Sequence, residues 1–224
     1  MKGHLHFMGV GGISMSGLAR WYQADGFRVS GCDTLPGKIA ESLSTEGISV
    51  AQGHAPEHLE GVDALVCSMA VKSDHPEILR ARALGLRVLR RIELLAELFE
   101  RHAAIGVTGT HGKSTTSGMI ATLFVAAGRD PSVQLGATLP LLGGVMRYGK
   151  GPELVAEVDE SDPGFARLRT RLALVTNLGD DHIAGEYSER RNYNASLEDL
   201  EAAVRSFAGG SETLLHCADG PRLS

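Results

Sequence analysis

Twice along this chain an apolar strand pattern runs into a glycine-rich turn and then into a helix pattern, over residues 6–17 and again over residues 104–116. That succession constrains the fold more than any other feature. A strand that leaves through glycines into a helix presents backbone N–H groups and the positive end of a helix dipole at one edge of a sheet. That is how parallel α/β sheets hold phosphates. Two such turns about a hundred residues apart predict two successive α/β units.

The rest of the pattern agrees. Strands expected at 4–8, 28–32, 49–51, 64–68 and 87–89 alternate with helices at 15–23, 39–46 and 76–84. A helix over 92–101 carries Leu94, Leu95, Leu98 and Phe99 on one stripe. The pattern then restarts with a strand at 104–108 and a helix from Ser114 to about residue 127. Met119, Ile120, Leu123 and Phe124 are the expected buried face of that helix. Near-continuous apolar runs at 154–158 and 172–176 read as buried parallel strands. Ser196 reads as the N-cap of a helix carrying Leu197, Leu200, Val204 and Phe207, and a last strand is expected at 213–217. The reading is α/β: two parallel-sheet units, a Rossmann-like domain at residues 1–99 and a P-loop ATPase-like domain, cut short, at residues 100–224.

Composition excludes several alternatives. Glycine is 28 of 224 residues without a Gly-X-Y period, so the excess belongs in turns rather than in collagen. With 22 basic and 27 acidic residues the net charge is −5, which argues against a nucleic-acid partner. No apolar run approaches the ~20 residues of a membrane span. His4, His6 and the following glycines break the N-terminal run that a signal peptide would need. Cys32, Cys67 and Cys217 are odd in number and widely spaced, as expected of small core residues in a reducing, cytoplasmic setting.

Three groups of residues carry chemistry. In the first turn, Gly9 and Gly11 permit close backbone approach, but Ser14 stands where a dinucleotide fingerprint has its third glycine. Asp33 ends the second strand 24 residues after Gly9, where a ribose-binding acid would sit. The second group, residues 108–116, places Gly112-Lys113-Ser114 at a helix start, although Val107 replaces the first glycine of the general phosphate-loop pattern. Lys113 can reach terminal phosphates and the Ser114 hydroxyl can ligate Mg²⁺. Lys113 also lies at the positive end of a helix, which favours a bound anion beside it. The third group is acidic: Glu157, Asp159, Glu160 and Asp162 follow one apolar strand, and Asp181 and His182 follow the next. Carboxylates that close repel unless solvated or neutralised by a cation.

Taken in order, these stretches resemble the Mur ligases, and within that family the branch that adds L-alanine. The matching residues are 9–19, 30–33, 75–78, 90–97, 108–113, 157–162 and 176–182, nearly the whole chain in family order. The resemblance implies an ATP- and Mg²⁺-dependent amide-forming ligase of peptidoglycan precursor synthesis, acting on UDP-N-acetylmuramate and L-alanine through an acyl phosphate. It implies that Gly11, Gly12 and Ser14 lie by the diphosphate, Asp33, His54 and Ser68 near the uridine, and Arg91 on the sugar-nucleotide side. It implies ATP contacts from Gly109, Thr110, His111, Gly112, Lys113, Ser114, Thr115 and Asn177, metal ligation by Ser114, Glu160 and His182, and a catalytic set of Lys113, Glu160 and His182.

Two departures stand out. Ala184 occupies a position where the family's motif has an acid, and the family's third, C-terminal domain is not in this sequence. Turnover by the chain alone is therefore not expected. Three rival readings stay open: a nicotinamide-dependent oxidoreductase using the first turn, a non-catalytic UDP-sugar- or nucleotide-binding fragment, and a ligase for a murein peptide. Oligomeric state is open.

Overall fold

The computed structural model describes residues 2–68, 71–179, 196–220 and 222. The chain divides into two compact units, Met1–Leu94 and Leu95–Ser224.

The first unit alternates β1 (His4–Met8), α1 (Ile13–Ala24), β2 (Arg28–Asp33), α2 (Lys38–Thr45), β3 (Ser49–Gln52), β4 (Ala64–Cys67), α3 (Pro76–Ala83), β5 (Arg87–Arg90) and the start of α4 (Arg91–Arg101). Its five strands are all parallel, in the order β3-β2-β1-β4-β5. Place in the sheet sets depth. The central strands β1 and β4 are buried along their whole length, whereas the edge strands β3 and β5 contain no buried residue. Met8, Cys32, Leu59, Leu65, Cys67, Ile78 and Ala81 form one continuous core under α3. Leu94, Leu95, Leu98 and Phe99 are all buried, as the stripe on α4 predicts.

The second unit contains β6 (Ala103–Thr108), α5 (Lys113–Ala126), β7 (Ser132–Leu139), β8 (Gly144–Arg147), β9 (Glu153–Glu157), β10 (Leu172–Val175), α6 (Leu197–Gly209) and β11 (Thr213–His216). The sheet order is β11-β10-β6-β9-β7-β8. This sheet is mixed, not parallel throughout: β7 and β8 pair antiparallel. Between them Pro140 opens a short 3₁₀ turn and Gly143 and Gly144 take φ of +76° and +157°, which sends the chain straight back.

Two packing expectations fail. On α5, Met119 is 62% and Leu123 is 67% exposed. The face turned to the sheet is instead Ser117, Gly118 and Ala121, flanked by half-buried Ile120 and Phe124. The helix is apolar on several sides, so periodicity could not single out the small residues that allow close approach. Cys217 is exposed where a core position is expected, because it follows β11, an edge strand whose four residues are all exposed. All three cysteines are free. Among the described residues no helix is long and apolar enough to cross a membrane.

Candidate functional site

In the first unit the C-terminal edge of the sheet gathers the turn residues. β1 ends at Met8, and Gly9 then takes φ of +81° while its N–H and that of Val10 both donate to the Cys32 carbonyl, at 2.8 and 3.1 Å. A side chain on Gly9 or Gly11 would have to displace a neighbouring one. A Cβ on Gly9 would lie 2.9 Å from the Ser68 hydroxyl, and one on Gly11 would lie 2.8 Å from Asp33 Oδ2. Gly31 is equally constrained, because a Cβ there would meet the Phe7 carbonyl at 2.8 Å. Gly12 caps α1 without a side-chain hydrogen bond, so the positive end of the helix stays open. Gly11, Gly12, Ser14, Asp33 and Ser68 thus surround one turn, at the ends of β1, β2 and β4. Asp33 already has work there: its carboxylate accepts from the Gly11 N–H at 2.9 Å and from the Leu35 N–H at 3.2 Å.

His54 lies behind that turn, with Nδ1 3.0 Å from Cys32 Sγ and its ring edge-on to His75. Burial holds its imidazole below the ordinary value, with the Glu77 charge opposing. Arg91 is buried at the first position of α4, directly after β5. Its neighbour Arg90 was not singled out from sequence. The Arg90 guanidinium donates to the carbonyls of Ser68 and Val71 at 3.2 and 3.0 Å, clamping the chain that follows β4.

In the second unit β6 ends at Thr108 and the phosphate-type loop follows. Gly109 takes φ of +127°, and a Cβ there would lie 2.7 Å from the Asn177 carbonyl and clash with the Thr176 hydroxyl. Gly112 caps α5 in the left-handed region, φ +82°, again with no capping side chain. The loop is held from β10. The Asn177 carbonyl accepts from Thr110 N at 3.0 Å. The Asn177 side chain accepts from His111 N at 3.0 Å and donates to the His111 carbonyl at 2.9 Å. The Thr176 hydroxyl donates to the same carbonyl at 2.6 Å, and Gly179 N donates to the Thr110 hydroxyl at 2.8 Å. Asn177 and Thr110 therefore shape the loop, while His111, Gly112 and Thr115 are exposed on it.

Lys113 folds back over the loop. Its ammonium donates to the carbonyls of Gly109 and Thr110, at 2.7 and 3.2 Å, and pairs with the fully buried Glu160 carboxylate at 2.9–3.0 Å. The anion anticipated beside Lys113 is here a carboxylate of the chain itself. The acidic group splits into two pairs. Glu160 holds Lys113, and Glu157 accepts from the Ser114 hydroxyl at 2.7 Å and from Gly136 N at 2.8 Å. Asp159 and Asp162 do not join them: Asp159 accepts from Ser161 N, and buried Asp162 accepts from Gly164 N, each at 3.0 Å. The lysine and local turns each hold one or more of these carboxylates. Glu157 as the partner of Ser114 was not assigned from sequence, because any of the four acids could have filled that place. Asp181, His182 and Ala184 lie outside the described residues.

Residues 4–103 match the model described as Mur ligase family, catalytic domain, and residues 107–206 match the Mur ligase middle domain. The UDP-N-acetylmuramate–L-alanine ligase of Deinococcus radiodurans is 45% identical over 98% of this chain and 46% of its own length. That of Gloeobacter violaceus is 44% identical over 96% and 45%. The chain thus spans about half the length of the curated relatives it matches. Among solved structures, MurC from Thermotoga maritima superposes with a TM-score of 0.87 at 28% identity, covering 98% of this chain and half of that one. The MPL ligase of Neisseria meningitides reaches 0.88 at 26% identity, covering all of this chain and 74% of its own. A close-packed glycine turn, a phosphate loop carrying its own lysine, and two successive family matches over residues 4–103 and 107–206 lead to one conclusion: the chain belongs to the Mur ligase family.

Proposed function

We propose that this chain is the UDP-substrate- and ATP-binding part of an ADP-forming ligase that adds L-alanine to UDP-N-acetylmuramate in peptidoglycan precursor synthesis, a cytoplasmic reaction. The observation that carries the reading is the phosphate-type loop: Lys113 sits beside an open helix N-terminus and is neutralised by Glu160. In the first unit the diphosphate of the UDP-sugar lies against Gly11, Gly12 and Ser14, where the bare glycines let backbone N–H groups approach. Asp33, His54 and Ser68 serve the uridine side and Arg91 the sugar side.

In the second unit the loop residues Gly109–Thr115 cradle the ATP phosphates. Lys113 exchanges Glu160 for the terminal phosphates when the nucleotide enters. The Ser114 hydroxyl and the Glu157 and Glu160 carboxylates are oxygen donors of the kind that suits Mg²⁺, which would neutralise phosphate charge there; His182 would serve a second metal position. The substrate carboxylate attacks the γ-phosphorus, ADP leaves, and the amine of L-alanine then displaces phosphate from the acyl phosphate. The work of this chain is positional and electrostatic. L-Alanine rather than a murein peptide is favoured by the names of the curated relatives at 39–45% identity.

Calorimetry on the purified chain tests the reading. UDP-N-acetylmuramate and Mg·ATP should each bind, NAD should not, and Gly11→Val should abolish only the first. Binding of NAD in place of UDP-N-acetylmuramate would overturn it in favour of an oxidoreductase. Absence of Mg·ATP binding would reduce the chain to a UDP-sugar-binding module.

A further inference from the structure

Behind the first glycine turn, four segments converge on one buried carboxylate. Glu77, at the start of α3, has no exposed surface. His6 Nε2, from the middle of β1, lies 3.5 Å from Glu77 Oε1, and His58 Nδ1, from the 3₁₀ turn at Pro56–Leu59, lies at the same distance. Cys32 Sγ, near the end of β2, lies 3.7 Å from Oε2 and 3.8 Å from Oε1. One donor atom from each of these four residues lies within 4.8 Å of all the others.

Hydrogen bonding deeper in the sheet fixes which nitrogen of His6 is available. His4 Nδ1 is 3.0 Å from the Gly61 carbonyl, which can only accept, so Nδ1 carries the proton. Burial pushes the His4 imidazole down toward its neutral form, leaving Nε2 as an acceptor for the Ser30 hydroxyl at 2.7 Å. Having given its one proton to His4, the Ser30 oxygen must accept from His6 Nδ1 at 2.8 Å. In the neutral ring, His6 Nε2 is then the acceptor nitrogen. It is fully buried, has no hydrogen-bond partner, and faces a carboxylate oxygen at 3.5 Å. That buried, unpartnered nitrogen and the carboxylate beside it suit a shared cation.

We propose that His6, Cys32, His58 and Glu77 form a closed structural site for a zinc-type divalent ion. Tetrahedral Zn²⁺, with bonds of about 2.0–2.3 Å, has ligand–ligand edges of roughly 3.3–3.8 Å, and the edges from Glu77 already fall in that range. Two imidazoles, one thiolate and one carboxylate match the ligand chemistry of that metal and balance its charge to zero. The Ser30 bond to His6 Nδ1 supplies the outer support that metal-bound imidazoles need. His54 stands beside the sulfur and can donate to the thiolate. As the metal–sulfur bond forms, the Cys32 thiol proton is lost to solvent. The ion would pin α3 and the 3₁₀ turn to the sheet directly beneath the glycine turn. Access is through the rim, where the His58 side chain is 19% exposed.

The test uses the chelator-stripped chain titrated with Co²⁺ and then Zn²⁺. One Co²⁺ per chain should give intense tetrahedral visible bands and a thiolate-to-cobalt charge-transfer band, and Zn²⁺ should erase both. Oxygen-ligated Co²⁺ in the second unit gives no charge-transfer band. Cys32→Ser should remove that band and Cys217→Ser should retain it. Because Cys32 is buried, His58→Gln at the rim provides an independent variant. It should remain folded by circular dichroism, weaken Co²⁺ binding about tenfold or more, and lose the rise in melting temperature that Zn²⁺ gives the parent chain. The proposal is overturned if the parent shows no charge-transfer band at one equivalent, if the band survives Cys32→Ser, or if His58→Gln binds Co²⁺ as tightly as the parent.

Discussion

The two glycine turns look alike in sequence and differ in how they meet charge. At the β1–α1 turn the side chain against the glycines is an acid, Asp33, bonded to the Gly11 N–H. At the β6–α5 loop it is a cation, Lys113, bonded to a buried acid from beyond β9. The first turn can hold an anion only through backbone N–H groups and close approach. The second carries its own cation, held by a buried acid. A glycine pattern therefore announces where a phosphate can lie, and the surrounding charges decide how strongly it is held.

That contrast can be broken most forcefully at Lys113. Lys113→Ala strands the Glu160 carboxylate in the interior, which should cost about 3–5 kcal/mol of stability. The melting temperature should fall, and Lys113→Met combined with Glu160→Gln should recover most of it. A Lys113→Ala chain that melts like the parent would mean that the pair is idle.

Gly109→Ala comes next. Its φ of +127° and the short approach to the Asn177 carbonyl should cost at least ~2 kcal/mol and weaken Mg·ATP binding. No such backbone strain applies at Gly11, where the obstacle is a side chain. Gly11→Ala should weaken UDP-N-acetylmuramate binding, and its effect should shrink in an Asp33→Ala background. A double-mutant cycle on calorimetric affinities measures that coupling, expected at roughly 1 kcal/mol. Strict additivity would show that Asp33 does not set the shape of the turn.

The smallest effect distinguishes the cysteines of the two units. Burial pushes the Cys67 thiol up to about 11, and burial with the Glu77 charge pushes Cys32 higher still. Both are buried, whereas Cys217 is exposed. Iodoacetamide on the native chain should add a single label, at Cys217, by peptide mass mapping. Labelling of Cys32 would show that the region behind the first turn opens in solution.

Much of this was legible in the chain because it is local. The stripe on α4 and the Ser196 cap, which accepts from Asp199 N at 3.1 Å, follow from spacing along one element. Both glycine turns follow from strand–turn–helix order. The β7–β8 hairpin was missed although Val133, Leu135, Ala137 and Leu139 alternate with polar or small residues; glycine and alanine weaken that pattern, and the later part of β7 is exposed. The pairing of Ser114 with Glu157 and of Lys113 with Glu160 was missed in part because adjacent acids look equivalent until the backbone aims them. The group around Glu77 was illegible because its members come from four separate segments and meet only in the folded sheet.

The reciprocal bonds between Asn177 and the backbone of residues 110–111 carry a consequence for binding thermodynamics. Fixing one residue's backbone costs about 1–2 kcal/mol in conformational entropy. A glycine-rich loop left to itself would meet that cost each time a ligand arrived. Here the end of β10 imposes the loop's conformation during folding, so the entropy is lost before any nucleotide is present. Asn177 thus favours binding beyond any contact of its own, by making the loop's held conformation the resting one.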